Sequence, residues 1–173
     1  AADPQTGTHH YMSNAGLPET RLACARREQE RAGWEDEIPA DAVTMTVGAA
    51  SALTCAFFAL LDEGDEVIII KPYFSEYLNY LKLRGAKAVL VDSEAGSFQP
   101  LPEMVAEAIS PRTKAVLINS PNNPSGAIYS RQRLKELADV LRDAEALTKH
   151  PIYIISDEPY VELVYDDVSV PSL

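Results

Sequence analysis

Basic residues are scarce in this chain. Fifteen lysines and arginines stand against 26 aspartates and glutamates, a net charge of −11 over 173 residues. Affinity for a phosphate backbone comes chiefly from clustered lysine and arginine, so nucleic acid is not expected as a partner. Cysteine is nearly absent. Cys24 and Cys55 are too few for a disulfide framework and sit in helix-like segments, so a reduced, cytoplasmic protein is expected. No apolar run approaches the about 20 residues of a membrane-spanning helix. The longest, at 52–61 and 67–70, stop well short. No membrane association is therefore expected, and the N-terminal stretch AADPQTGTHHYMS lacks the charged start and apolar centre of a secretion signal. There is no internal repeat and no low-complexity tract, and no metal site is expected. A G-x-G-x-x-G turn is also missing, which argues against a nucleotide-binding doubly wound domain.

What is present is the composition of a folded protein, 46% hydrophobic and 24% charged. The length suits one domain of about 100–200 residues. Short β-rich runs alternate with longer helical patterns, which points to parallel βαβ units. Strands are expected at 43–47 (VTMTV), 66–70 (EVIII), 87–91, 114–119 (KAVLIN) and 152–156. Helices are expected at 18–32, 49–61, 75–84, 102–109 and 131–147. In the last of these Ser130 is placed to cap, and Leu134, Leu137, Ala138 and Leu141 share one face. The final VSVPSL offers no closing helix and reads as a chain cut.

Ligands of open α/β sheets bind beyond the carboxyl ends of the strands, so the residues just past each strand are informative. After Val47 come Gly48, Ala49 and Ala50, small residues opening a helix whose free N–H groups suit an anion. A tight turn packing a helix on the sheet explains them equally well. After Ile70 come Tyr73 and Phe74, a stacking surface for a ring or ordinary core aromatics. After Asn119 comes SPNNPSG, a stiff loop in which Pro124 keeps Asn123 out of the helical region and its side chain aimed. The plain alternative is a turn between strand and helix. After Ser156 comes Asp157, a carboxylate at the end of an apolar strand, with Tyr160 three residues on. Such a carboxylate needs a cation or several donors to stay ionised, and a helix cap is the competing explanation. Together the four segments offer an anion seat, a stacking ring, an aimed amide and a desolvated carboxylate near a phenol. Pyridoxal 5′-phosphate carries a phosphate, a flat ring, a phenolic oxygen and a protonable ring nitrogen, and fits that set.

The landmarks YMSNAGLPETR, VTMTVGAASAL, LLDEGDEVIIIKPYFSEY, TKAVLINSPNNPSGAIYS and IYIISDEPYVELVYD resemble the fold-type I pyridoxal-phosphate aminotransferases. The likeness is to the aspartate-aminotransferase-like class I/II group, and it runs from Tyr11 to about Asp166. It implies an α/β fold, a mostly parallel sheet with helices on both faces in three layers. It implies a loop and helix segment at 1–40 and a cofactor-binding large domain at 41–173. By the same resemblance Asp157 would bind the pyridine nitrogen, Tyr160 would donate to the phenolic oxygen, and Asn123 would share that oxygen. Phe74 would stack on the ring, with Tyr73 set aside. Gly48, Ala49 and Ala50 would form the phosphate turn, by backbone alone because Ala50 stands where many relatives carry Ser, Thr or Lys. Tyr11 would reach the phosphate of a neighbouring subunit, implying a homodimer with shared sites.

The implied reaction exchanges an amino group between an amino acid and a 2-oxo acid. It also needs a Schiff-base lysine, in the family a few tens of residues after the SDExY motif. None of Lys71, Lys82, Lys87, Lys114, Lys135 and Lys149 has that setting. The arginine that grips the substrate carboxylate is likewise not among these residues. The chain is therefore expected to be a portion of the large domain, inactive by itself. Two other outcomes stay open: a carbon–sulfur β-lyase of the same fold, and a non-catalytic fragment that serves binding or assembly.

Overall fold

The computed structural model describes residues 11–173. They fall into two compact units, divided between Gly48 and Ala49.

The first unit is built on helix α1 (Pro18–Ala32). Pro18 opens it, where a missing N–H costs nothing, and left-handed Gly33 closes it. Arg21 ties the helix to the chain beyond it, donating from Nε to the Val43 carbonyl at 2.7 Å and pairing with Asp41 at 3.1 Å. Residues 43–47, expected as a strand, join no sheet among the described residues. Their alternation of Val and Thr is right for a strand. A strand needs a partner ladder, however, and among the described residues the stretch makes one such bond, Met45 N–H to the Ala15 carbonyl at 2.8 Å.

The second unit carries the sheet. Helix α2 (Gly48–Leu60) leads into β1 (Glu66–Ile70), α3 (Glu76–Arg84), β2 (Lys87–Val91) and α4 (Pro102–Ala108). Next come β3 (Thr113–Asn119), α5 (Arg131–Thr148) and β4 (Tyr153–Asp157). The strands are ordered β2-β1-β3-β4 and every neighbouring pair is parallel. Parallel strands are joined by crossovers that cover both faces, so their sequences read as continuous apolar runs. EVIII is such a run. Ile68 and Ile70 face a core with Val105 of α4 and Leu134, Leu137 and Leu141 of α5. Val67 and Ile69 face the opposite core with Leu53 and Phe57 of α2 and Tyr77 and Leu81 of α3. The result is three layers, helices on either side of one sheet. Among the described residues no helix is long and apolar enough to cross a membrane.

The end of β4 settles where one site residue stands. The strand runs one residue further than expected, so Asp157 closes it in register with Asn119 of β3.

Leu137 is fully buried, whereas the Ser130 cap, which accepts from Arg133 N–H at 3.2 Å, is exposed. Leu137→Ala should cost about 2–5 kcal/mol of stability, and Ser130→Ala about 0.5–2 kcal/mol. Urea denaturation followed by circular dichroism measures both. Equal losses would contradict the assignment of Leu137 to the centre of the core.

Candidate functional site

Strand order creates the site. From β1 the chain turns into α3 on one face of the sheet; from β3, its neighbour, it turns into α5 on the other. Loops that diverge in this way leave a crevice at the carboxyl ends of the two strands. A cavity of about 240 Å3 opens there, lined among others by Ala49, Ala50, Phe74, Asn123, Asp157 and Tyr160. Six residues singled out in the sequence thus meet at one place. Gly48 is the first residue of α2, where its φ of +77° is open to glycine and strained for other residues. Tyr73 lines a different cleft, with Lys71 and Asp92. Tyr11 belongs to the first unit and is fully exposed.

A larger cleft of about 490 Å3 shares Asn123 and Tyr160 and is otherwise walled by Pro121, Pro124, Ile128, Leu163 and Val168. It contains no charged side chain. The smaller cavity, which holds Asp157, is therefore the candidate site.

Two residues not singled out in the sequence organise this cavity. Tyr77, on α3, donates its hydroxyl hydrogen to Asp157 Oδ2. Its ring also meets Phe74 edge to face, centroids 5.6 Å apart at 85°. The signal was the three-residue step from Phe74 to Tyr77 into a helix, close enough for the two rings to touch. Asn119, 3% exposed, donates from Nδ2 to the Asp157 carbonyl at 2.8 Å. Its Oδ1 accepts from the Asn123 N–H at 2.6 Å. The signal there was a polar residue ending the apolar run KAVLI.

The proline-rich loop is held from inside as well. Asn122 donates from Nδ2 to the Pro72 carbonyl at 3.1 Å, tying this loop to the one that carries Phe74. Its Oδ1 accepts from Ser125 N–H at 3.1 Å and from Ser125 Oγ at 2.7 Å. Asn123 Nδ2 then lies 3.4 Å from the Tyr160 hydroxyl, so amide and phenol stand side by side on the cavity wall.

The electrostatics single out Asp157. Burial raises its pKa above the ordinary carboxylate value, and the Tyr77 hydrogen bond pulls in the opposite direction without cancelling the rise. Among the described residues no basic side chain is paired with it. Tyr77 itself is pushed far above the usual phenol range, first by burial and then by its bond to Asp157. It therefore stays protonated and keeps the hydrogen that it donates to Asp157. A ligand N–H carrying positive charge would complete Asp157, a flat ring has Phe74 to lie against, and Asn123 and Tyr160 offer donors to a ring oxygen. Ala49 and Ala50 bring the start of α2 to the cavity, where first-turn N–H groups suit an anion, whereas the Gly48 N–H is taken by the Thr46 carbonyl at 2.9 Å.

The sequence agrees with this arrangement at the family level. The family described as Aminotransferase class I and II matches residues 2–173. An aspartate/prephenate aminotransferase of Thermus thermophilus is 40% identical over 162 residues, covering 92% of this chain and 40% of that protein. An aspartate aminotransferase of Geobacillus stearothermophilus is 42% identical over 160 residues, covering 92% of this chain and 39% of that protein. The crystal structure of an amino transferase from Eubacterium rectale superposes with a TM-score of 0.89 at 42% identity. That match covers 94% of this chain and 41% of the other. The chain thus spans about 40% of the length of the curated relatives it matches.

Asp157 holds its proton more tightly in the folded chain than in the unfolded one. Stability therefore falls as pH rises from the unfolded value, about 3.9, through the higher folded value. Asp157→Asn cannot ionise. It should raise the urea midpoint of the ligand-free chain at pH 7 and leave it nearly unchanged at pH 3. A lowered midpoint at pH 7 would show that the ionised carboxylate is a net stabiliser.

Proposed function

The chain belongs to the class I and II aminotransferase family, and on that premise we propose that the whole protein exchanges an amino group between an amino acid and a 2-oxo acid, using pyridoxal 5′-phosphate. The observation that carries this reading is Asp157. Its carboxyl is partly desolvated, held by a neutral phenol and unpaired with any described cation, on the wall of a ring-sized cavity. The ring nitrogen of pyridoxal phosphate, once protonated, is the cation this carboxyl calls for. When bound, the cofactor supplies a protonated heteroaromatic ring that accepts the electron pair left when a substrate loses its α-hydrogen.

Each residue has a distinct task in this reading. Asp157 keeps the proton on the ring nitrogen, and its own pKa drops once the cationic ring is beside it. Asn123 and Tyr160 donate to the phenolic oxygen and so fix the rotation of the ring in its plane. Phe74 covers one face of the ring. Ala49 and Ala50 bind the phosphate through backbone N–H groups at the start of α2, and Gly48, whose own N–H is held by the Thr46 carbonyl at 2.9 Å, shapes the turn. The names of the relatives, aspartate and aspartate/prephenate aminotransferases, support an acidic amino donor. Exposed Tyr11 supports a homodimer in which this residue completes the neighbour's site. The two cysteines are both unpaired, which supports the reducing cytoplasm.

Pyridoxamine 5′-phosphate tests the reading directly, because it has no aldehyde to react with surface lysines. Fluorescence titration should show one saturable site on the chain. Asp157→Ala should weaken it about tenfold or more, about 1.4 kcal/mol. Binding that is unsaturable, or indifferent to Asp157, would remove the cofactor from this cavity. In the whole protein, release of a thiol together with ammonia and a 2-oxo acid from cysteine conjugates, with no transfer to 2-oxo acid acceptors, would replace amino transfer by β-elimination.

A further inference from the structure

We propose that Asn119 is a positioning residue that sets the separation between the two ring-recognising groups, Asp157 and Asn123. The inference rests on the cofactor reading above and adds a residue to it. Asn119 ends β3, beside Asp157 in the parallel register. Its side chain does not run out into solvent; it is 3% exposed and both ends of its amide are engaged. Nδ2 gives a hydrogen to the Asp157 carbonyl at 2.8 Å, and Oδ1 takes one from the Asn123 N–H at 2.6 Å. One planar, rigid group therefore bridges the last residue of β4 to the residue before Pro124.

The two partners dictate the choice of residue. One is an acceptor and the other a donor, so the bridging side chain must donate at one end and accept at the other. Aspartate has no donor, leucine has neither function, and glutamine is one methylene too long for the same span. Without the bridge, two backbone groups at the floor of the cavity lose their partners. The spacing matters because Asp157 and Asn123 address different edges of one flat ring. Such a ring has fixed dimensions, and a misplacement of about 1 Å is enough to spoil paired contacts. Tyr77 fixes the Asp157 carboxyl from the α3 side, so Asn119 is the remaining handle on where that residue sits relative to the loop.

The test compares the full chain with Asn119→Leu and Asn119→Asp. Three ligands are titrated: pyridoxamine 5′-phosphate, its analogue with carbon in place of the ring nitrogen, and its analogue without the phenolic oxygen. Inorganic phosphate serves as the control, and amide hydrogen exchange is followed by NMR. Asn119→Leu should reduce the preference for the natural ring over both analogues by about tenfold, with phosphate affinity unchanged. Exchange of the Asn123 N–H should accelerate at least tenfold while the Ile68 and Val116 amides stay as they were. Asn119→Asp keeps an acceptor for the Asn123 N–H. It should preserve that protection while losing preference at the ring nitrogen, and it carries the comparison if Asn119→Leu does not fold. Equal weakening of every ligand, or acceleration spread over all the strands, would reduce Asn119 to a structural residue and overturn the inference. So would an unchanged Asn123 exchange rate. If the unsubstituted chain does not distinguish the natural ring from its analogues, the cofactor reading fails. The exchange result then decides the bridging role by itself.

Discussion

Everything in this site depends on one constraint, that a parallel sheet sends all its strands out at the same edge. The sheet needs helices on both faces to bury its strands, and the order β2-β1-β3-β4 makes the chain leave β1 and β3 toward opposite faces. The edge between them cannot be closed by either helix. Strand ends there carry backbone groups that have run out of ladder partners, and side chains must supply the bonds. Asn119 does so for the Asp157 carbonyl, and Asn122 for the Pro72 carbonyl. The polar residues that satisfy the fold are therefore already in the crevice where a ligand would bind. Structure and site are solved by the same groups.

Asp157 shows the cost of that arrangement. A carboxyl at the end of YIISD, next to buried strands, loses solvation without gaining a described cation. One phenol hydrogen bond offsets part of the loss. Proteins commonly hold such unfavourable groups where function needs them, and stabilising substitutions there tend to remove function. Tyr129 offers a contrast. It is also buried, with its phenol pushed up to about 12, but it faces the core on the α4–α5 side and lines neither described cleft beside Asp157. Burial by itself shifts a pKa; what makes Asp157 a candidate is burial together with an opening and with Asn123 and Tyr160 alongside.

Much of this was legible in the chain itself. EVIII and KAVLI are apolar without alternation, and only a strand buried on both faces needs that pattern. The helix limits could be read because Pro18, Pro102, Gly33 and Gly85 punctuate them. The stretch VTMTV misled for a definite reason: alternation describes a face to be buried but says nothing of a neighbouring strand, and none of the described strands pairs with it. The partners of Tyr77 and Asn119 were out of reach for a related reason. The bond from Tyr77 to Asp157 spans 80 residues, and that from Asn119 to Asp157 spans 38. Both depend on the β3–β4 register and on the placement of α3 over the sheet, which are properties of the assembled layers. Asn123, Pro124, Asp157 and Tyr160 were visible because loop stiffness and a stranded carboxylate are local oddities. Their supports left only faint local signals, because a tyrosine in a helix and an asparagine at a strand end are ordinary.

The kinds of group at each end of the ligand set the proposed division of labour. At the start of α2 the side chains are Gly48, Ala49 and Ala50, with nothing to aim, so an anion there would be held by backbone N–H groups and the helix dipole. Backbone donors converge on a roughly spherical phosphate and resist it turning very little. Rotation about that anchor must then be stopped at the other end, where the donors and acceptors are side chains. A ring tethered at its phosphate is fixed once two further points on its rim are held, and Asp157 and the Asn123–Tyr160 pair supply two points. The stiffness of the SPNNPSG loop then has a purpose beyond turning the chain. A side chain that must define the angle of a ring can be no steadier than its backbone, and Asn122, Ser125 and Asn119 hold that backbone from three directions.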